Sequence, residues 1–300
     1  MSLQLFADYH FHPNFNFGRN LRKQSEKIWK AFDQHQLDVV VISEHSWKRP
    51  TDSYHILEEY RTSGSKTRIL PGIEVLTEEG LDVVVFGSCG SWYDEDRLAP
   101  LLEPYHAPIE TVIRLVQDPE HPVRGFLPHP YTRGTTGAVE FYGREEAKIL
   151  ASKLGGVEAS NNCYDDTLAL GQRLGRRFFP ATLERMQKTH QIDNEFLDEV
   201  DVDFIAIGSD AHFPEEVGYG CLIDIAAWPE TQEEVHQAIT TNRTREGVPR
   251  HFKPALDRVV HVSRSAIITA HEALQKKALR KSKKKAEGQQ GKDLSPVPSS

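Results

Sequence analysis

Cysteine is scarce in this chain. Cys89, Cys163 and Cys221 show no CxxC spacing, and an odd number argues against a disulfide framework. Such usage suits a reducing compartment. No run approaches the ~18 apolar residues of a membrane span, and the opening MSLQLFADYH has neither a charged leader nor a long apolar stretch. The expectation is a soluble cytoplasmic protein with no membrane contact. Signatures of side-chain nucleophiles are also missing, with no GxSxG elbow and no Cys–His signature.

Charge is unevenly placed. The net is −8, but residues 276–300 hold eight Lys/Arg and two Asp/Glu, a net of +6, which leaves −14 on residues 1–275. An acidic body is a poor generic nucleic-acid surface, because phosphate attraction needs clustered cations. Clustered carboxylates and imidazoles suit di- or trivalent cations instead.

Three hundred residues suffice for one large α/β barrel or two ordinary domains. Short, β-branched, nearly continuous apolar runs predict strands near 3–8, 38–43, 68–73, 82–87, 123–128, 156–160 and 203–208. Amphipathic helical stretches fall between most of them, at 22–36, 52–62, 107–118, 143–154 and 165–177. Strands alternating with helices indicate βαβ units and a parallel sheet, and seven at this spacing fit a closed barrel better than a doubly wound sheet. Residues 88–106 read as a surface excursion beside the site. The division expected is a barrel domain over 1–262, a helix with a basic end over 263–285 and a disordered tail over 286–300.

What is present in quantity is histidine and carboxylate at the ends of these runs. His10 and His12 follow LQLFADY, His45 follows DVVVISE, Glu74 follows RILPGI, His129 follows VRGFLP, and Asp210 and His212 follow DFIAIGS. Parallel strands bring their C-termini to one face, so distant residues become neighbours there. On an extended segment, side chains at i and i+2 point the same way, so His10 with His12, and Asp210 with His212, can each grip one ion. Mixed imidazole and carboxylate donors without thiolate suit Zn, Mn or Fe better than Mg or Ca. Seven donors exceed the needs of one ion, so two or three are implied, and a carboxylate such as Glu74 can bridge a pair.

DYHFH, SEH, PGIEV, LPHP and GSDAH, in that order, resemble the motifs of the PHP (polymerase and histidinol phosphatase) superfamily of metal-dependent phosphoesterases. The resemblance covers about residues 5–220, and GVEASNN also fits it. It implies an α/β fold, a distorted (β/α)7 TIM-like barrel of the PHP type, here followed by a C-terminal helical and disordered basic tail. It further implies His10, His12, Glu74 and Asp210 on a first ion, Glu74 and His129 on a second, and His45 and His212 on a third.

The chain departs from the fullest version of that pattern in two places. NFNFGRN follows the HxH loop, where Asn14 and Asn16 are weak donors and Gly18 offers none. Asp82 stands where many members carry histidine, and it is either a ligand or an ordinary strand-start carboxylate. Asp8 and Glu44 are candidates to orient ligand histidines. Arg133, in PYTRGTTG, and Arg19 are candidates to hold a substrate phosphate, with Lys48 and Arg49 on loops of the same face.

The expected function is hydrolysis of a small phosphomonoester or a nucleotide by metal-activated hydroxide, the metals being two or three Mn, Zn or Fe ions. A nuclease acting on DNA or RNA ends is the alternative within the superfamily. The acidic body weighs against it, although the basic tail leaves nucleic acid open as a partner. A metal-binding regulatory protein without turnover is the reading outside enzymology.

Overall fold

Short runs of β-branched residues such as VVVI at 39–42 are strands here because both of their faces are covered by packed side chains. The chain is described from a computed structural model, over residues 3–120, 123–132, 137–163, 168, 180–250, 262–264, 270–271, 273–283 and 285. Contacts divide it into Met1–Lys253 and Pro254–Ser300. In the second unit, residues 262–264, 270–271, 273–283 and 285 are helical. The tail expected at 286–300 lies outside the described residues, as does the helix expected at 165–177 apart from Leu168. No helix among the described residues is long and apolar enough to cross a membrane.

The first unit is mixed α/β. Its strands are β1 (Leu3–Phe11), β2 (Val39–Ile42), β3 (Arg68–Leu76), β4 (Asp82–Phe86), β5 (Arg124–Phe126), β6 (Gly156–Asn161), β7 (Phe204–Gly208), β8 (Tyr219–Ile225) and β9 (Val248–Pro249). Seven of them form a curled sheet in the order β5-β4-β3-β2-β1-β8-β9, and β6 pairs with β7 separately. Single parallel bridges join Leu127 to Val157 and Phe11 to Ala211 across the gaps between these two sheets. The helices are α1 (Leu21–Gln34), α2 (Pro50–Glu59), α3 (Ile109–Val116), α4 (Ala138–Tyr142), α5 (Arg144–Leu154), α6 (Pro180–His190), α7 (Asn194–Glu199) and α8 (Gln232–Ile239). Their ends follow local chemistry. Asn20 and Asp193 cap α1 and α7, Thr231 and Glu234 form a capping box on α8, and Gly155 ends α5 in the left-handed region.

All seven expected strands are present, but the sheet is not wholly parallel. β4 runs antiparallel to β3, because the connection of residues 77–81 is far too short for the dozen or more residues a crossover needs. β8, antiparallel to β1, and β9 are additional. Residues 88–106 do reach the surface, at Cys89, Ser91, Asp94, Asp96, Ala99, Glu103 and His106, but the segment is anchored inside. They form 3-10 turns at Gly90–Asp94 and Asp96–Leu102, and Trp92, Tyr93, Leu98 and Leu101 are buried in the core.

Two apolar clusters share the strands between them. The larger lies between sheet and helices, with Trp29, Phe32, Leu57 and Ile73. The smaller holds Leu5, Ala7, Tyr9, Val41, Leu70, Phe86, Phe126 and Phe204. Here Phe86, Phe126 and Phe204 meet edge to face with centroids 5.9–6.3 Å apart. α8 contributes Val235 and Ile239 to it, and Gln232 and Arg68 tie that segment to the start of β3.

His236 of α8 is buried with its ring 5.3 Å from Phe86. Burial, with Arg124 nearby, lowers its imidazole to about 4. The folded state therefore prefers the neutral ring, so the stability it contributes is complete above the ordinary histidine pKa and is lost as pH falls from 6.5 towards 4. In urea unfolding at pH 7 and pH 4, the parent protein is expected to lose about 3 kcal/mol more than the His236→Leu variant, at ~1.4 kcal/mol per pKa unit. Parallel pH dependences for the two proteins would refute this.

Candidate metal centre

The site is built where strands end. β1 contains a register shift between Asp8 and Phe11 against β2. Before it, Leu5, Ala7 and Tyr9 lie in the smaller cluster, whereas Phe11 beyond it joins the larger one. One extra residue thus reverses the alternation, which sets His10 and His12 at the end of the smaller cluster with the ring of His10 6.1 Å from Phe126. Pairing of β2 with β3 continues past the strands to a bridge between His45 and Glu74. His129 follows β5, and Asp210 and His212 follow β7.

All seven residues expected from the sequence converge. Three donor groups form, His12–His45–His212, His10–Glu74–His129 and His10–His12–Asp210, with the ligand atoms of each within 4.8 Å of one another. The first two groups share no residue. Glu74 stands between them. Its Oε1 is 3.1 Å from His129 Nε2 and 3.9 Å from His10 Nε2, while its Oε2 is 3.6 Å from His12 Nε2 and in close contact with His45 Nδ1. Asp210 Oδ1 lies 3.2 Å from His12 Nε2 and 3.8 Å from His10 Nε2.

These spacings fit a cation. Donors about 2.1 Å from a tetrahedral ion stand roughly 3.4 Å apart, which is the range observed. The Nε2 atoms of His10 and His12 are buried and make no hydrogen bond, an arrangement that burial normally forbids unless another partner is intended. The three groups of imidazoles and carboxylates could hold a metal ion.

The electrostatics show how the cluster is balanced by protons alone. Burial by itself would lower the imidazole of His12, but Asp210, Glu44 and Glu74 raise it to about 10. Against the same burial, Glu74, Asp210 and Glu158 raise His129 to about 9. His10 is raised as well, by Asp210, Glu158 and Glu74. Burial would raise Glu74 and Asp210, yet the imidazoles hold both far below the usual carboxylate range. A metal entering here displaces protons that offset the same carboxylates.

The supporting residues divide as follows. Asp8 accepts from the backbone N–H groups of His10 at 3.0 Å and Ser209 at 2.9 Å, so it ties β1 to β7 and orients the His10 backbone, not its ring. Glu44 lies 3.7 Å from His12 Nδ1 and accepts from Asn14 N–H at 2.6 Å. Asn14 is a clamp: its Nδ2 reaches the His212 carbonyl at 3.4 Å and its Oδ1 accepts from Lys48 Nζ at 3.1 Å. Asn16 and Gly18 are exposed and bonded to each other. Asp82 is buried but belongs to none of the three donor groups. Arg19 is exposed, and Arg49 pairs with Asp52 at 2.6 Å and lies over Phe17. Arg133 lies outside the described residues.

Two residues escaped the sequence reasoning. Glu158 is 1% exposed and accepts from His10 Nδ1 at 3.1 Å, His129 N–H at 2.7 Å and Asn161 Nδ2 at 2.9 Å. Asn161 Nδ2 also reaches Asp210 Oδ2 at 3.2 Å. The signal was the charged residue inside GVEASNN, since a glutamate in a fully buried strand needs partners.

No family model and no curated protein matches the chain. Among solved structures it is similar to PsfC from Pseudomonas syringae PB-5123, at 15% identity and a TM-score of 0.57 over 88% of this chain and 97% of that one. A likeness at that identity speaks to the fold alone.

The end of β7 passes directly beneath the site. A Cβ at Gly208 would lie 2.3 Å from His10 Cβ and 2.8 Å from Glu158 Oε1. Gly208→Ala should therefore displace His10, cost about 1–3 kcal/mol by overpacking and remove most of the bound metal in elemental analysis of the purified protein. Parental metal content in that variant would contradict the geometry.

Proposed function

We propose that this chain is a metal-dependent phosphoesterase acting on a small phosphomonoester or a nucleotide, on a distorted (β/α)7 barrel of the PHP type. The observation that carries this reading is Glu74, whose two oxygens each face a different donor triad. One carboxylate shared by His10–Glu74–His129 on one side and His12–His45–His212 on the other favours two ions of the Mn, Zn or Fe class. In support of the barrel, single bridges at Leu127–Val157 and Phe11–Ala211 link the curled sheet to the β6–β7 pair. Paired divalent ions supply Lewis-acid stabilisation to a phosphoryl group and activate water, without a side-chain nucleophile.

The chain's own residues provide the setting. His10, His12, His45, His129 and His212 would supply donor nitrogens to the ions, and Glu74 and Asp210 would supply charge. Phe86, Phe126 and Phe204 form a buried aromatic layer whose Phe126 lies 6.1 Å from the His10 ring. Lys48, which donates to Asn14 and is close enough to Glu44 to lower its carboxyl, is the cation we assign to a phosphate oxygen.

Hydrolysis of an aryl phosphate should require added Mn2+, vanish with a chelator and return on resupply. His10→Ala and Asp210→Ala should each lower turnover by at least a hundredfold while near-UV circular dichroism stays parental. Full activity in either variant would sink the assignment.

A further inference from the structure

We infer that Glu158 is the positioning residue of this centre, one buried carboxylate that selects the tautomer of His10 and locks the backbone at His129. The inference rests on the two-ion reading above. Glu158 comes from β6, a strand that contributes nothing to the three donor groups. A second register shift, between Glu158 and Ser160 against β7, marks its position, as the first marks His10 on β1.

Both oxygens of Glu158 are committed. Oε1 lies 3.1 Å from His10 Nδ1, and Oε2 accepts from the His129 N–H at 2.7 Å and Asn161 Nδ2 at 2.9 Å. Glu158 belongs to none of the three donor groups. Its effect on His10 follows from imidazole chemistry. With Nδ1–H donated to a carboxylate, the lone pair belongs to Nε2, the atom that is buried without a hydrogen bond and faces Glu74 and Asp210.

The second task is at His129, whose φ of 28° is rare for a residue with a side chain. Its N–H is held by Glu158, and its carbonyl accepts from Thr132 N–H at 2.9 Å. The peptide groups on both sides of His129 are thus fixed while Nε2 stays 3.1 Å from Glu74. Asn161 completes the clamp. Cys163 N–H donates to its Oδ1 at 3.0 Å, so its amide must turn Nδ2 towards Glu158 and Asp210. Glu158 therefore touches the His10 ring, the His129 backbone and, through Asn161, Asp210. Two of these, His10 and His129, belong to one triad.

Glu158→Gln is the discriminating change because it keeps shape but has one acceptor oxygen. If that oxygen serves the His129 N–H, the amide NH2 faces His10 and forces the tautomer whose Nε2 carries a proton and cannot bind metal. If it serves His10, the NH2 meets the His129 N–H. Either way the His10–Glu74–His129 group is impaired and His12–His45–His212 is spared.

Mn2+ titrated calorimetrically into the metal-stripped full chain should show two sites in the parent. Glu158→Gln should weaken one of them by roughly 10–100-fold and leave the other within twofold, and Co2+ absorption should change for one site only. The unaffected site certifies that the variant is folded. Parental affinity at both sites, or equal weakening of both in a folded variant, overturns the inference while the two-ion reading stands. A parent that binds no metal overturns the two-ion reading and the inference with it. Should Glu158→Gln fail to fold, Asn161→Ala, which frees one side of the clamp, must weaken the same single site; unchanged affinity there refutes the role of Glu158.

Discussion

Everything in this molecule is arranged around a carboxylate that cannot be left alone. Glu74 is 1% exposed, and a buried unpaired charge is among the costliest features a fold can carry. Its two oxygens are surrounded by imidazoles from β1, the end of β2 and the end of β5. The aromatic layer beneath keeps the local dielectric low, which makes each of those contacts stronger and each missing one more costly. A positive partner is obligatory, whether protons on the imidazoles or a metal. The histidines are consequently bound to Glu74 by electrostatics as much as by the covalent chain.

That requirement passes down into strand register. A slip of one residue would turn every ligand to the other face. Register is set by the pairing of β2 with β3 up to the His45–Glu74 bridge. On β1 it is set by Asp8, whose carboxylate joins the N–H groups of His10 and Ser209. Burial raises the Asp8 carboxyl to about 7 even though it accepts these bonds, so the fold tolerates a strained ionisation there to keep β1 and β7 aligned. The two bulges lie at the level of the ligands, where they re-aim side chains that strict alternation would misplace.

The sequence made the donors legible because each stands at the edge of an apolar run, where hydropathy falls and an ionisable residue is conspicuous. The seven strands were legible for the same reason. What was not legible depends on partners that have no local signature. β4 reads like its neighbours in composition, and only the length of the turn at 77–81 betrays its reversed direction. Residues 88–106 look polar and are exposed at many positions, yet Trp92 and Leu98 anchor the segment in the core. Glu158 hides within a strand, and its role exists only once β5 and β7 lie beside it. Asp82 illustrates the converse. A suggestive position at a strand start gave no place in the donor groups, since two residues along a strand displace a side chain by about 7 Å.

Strain shows how much of the centre is set before any ligand arrives. Among the described residues, six other than glycine have positive φ, and four of them, Asn14, Arg49, His129 and Asp210, are ligand candidates or belong to loops that follow them. Such conformations cost about 1–3 kcal/mol each and persist only where surrounding bonds over-determine them. Here those bonds are identifiable. Glu44 holds the N–H of Asn14, Glu158 holds that of His129, and the His10 carbonyl accepts from the N–H of Asp210 at 2.7 Å. Ligand loops fixed in this way lose little further entropy when a cation binds, which favours affinity. Trp47 lies flat on His45 at 4.2 Å, so a change at Trp47 reaches the centre through a ring stacked on one of its donors.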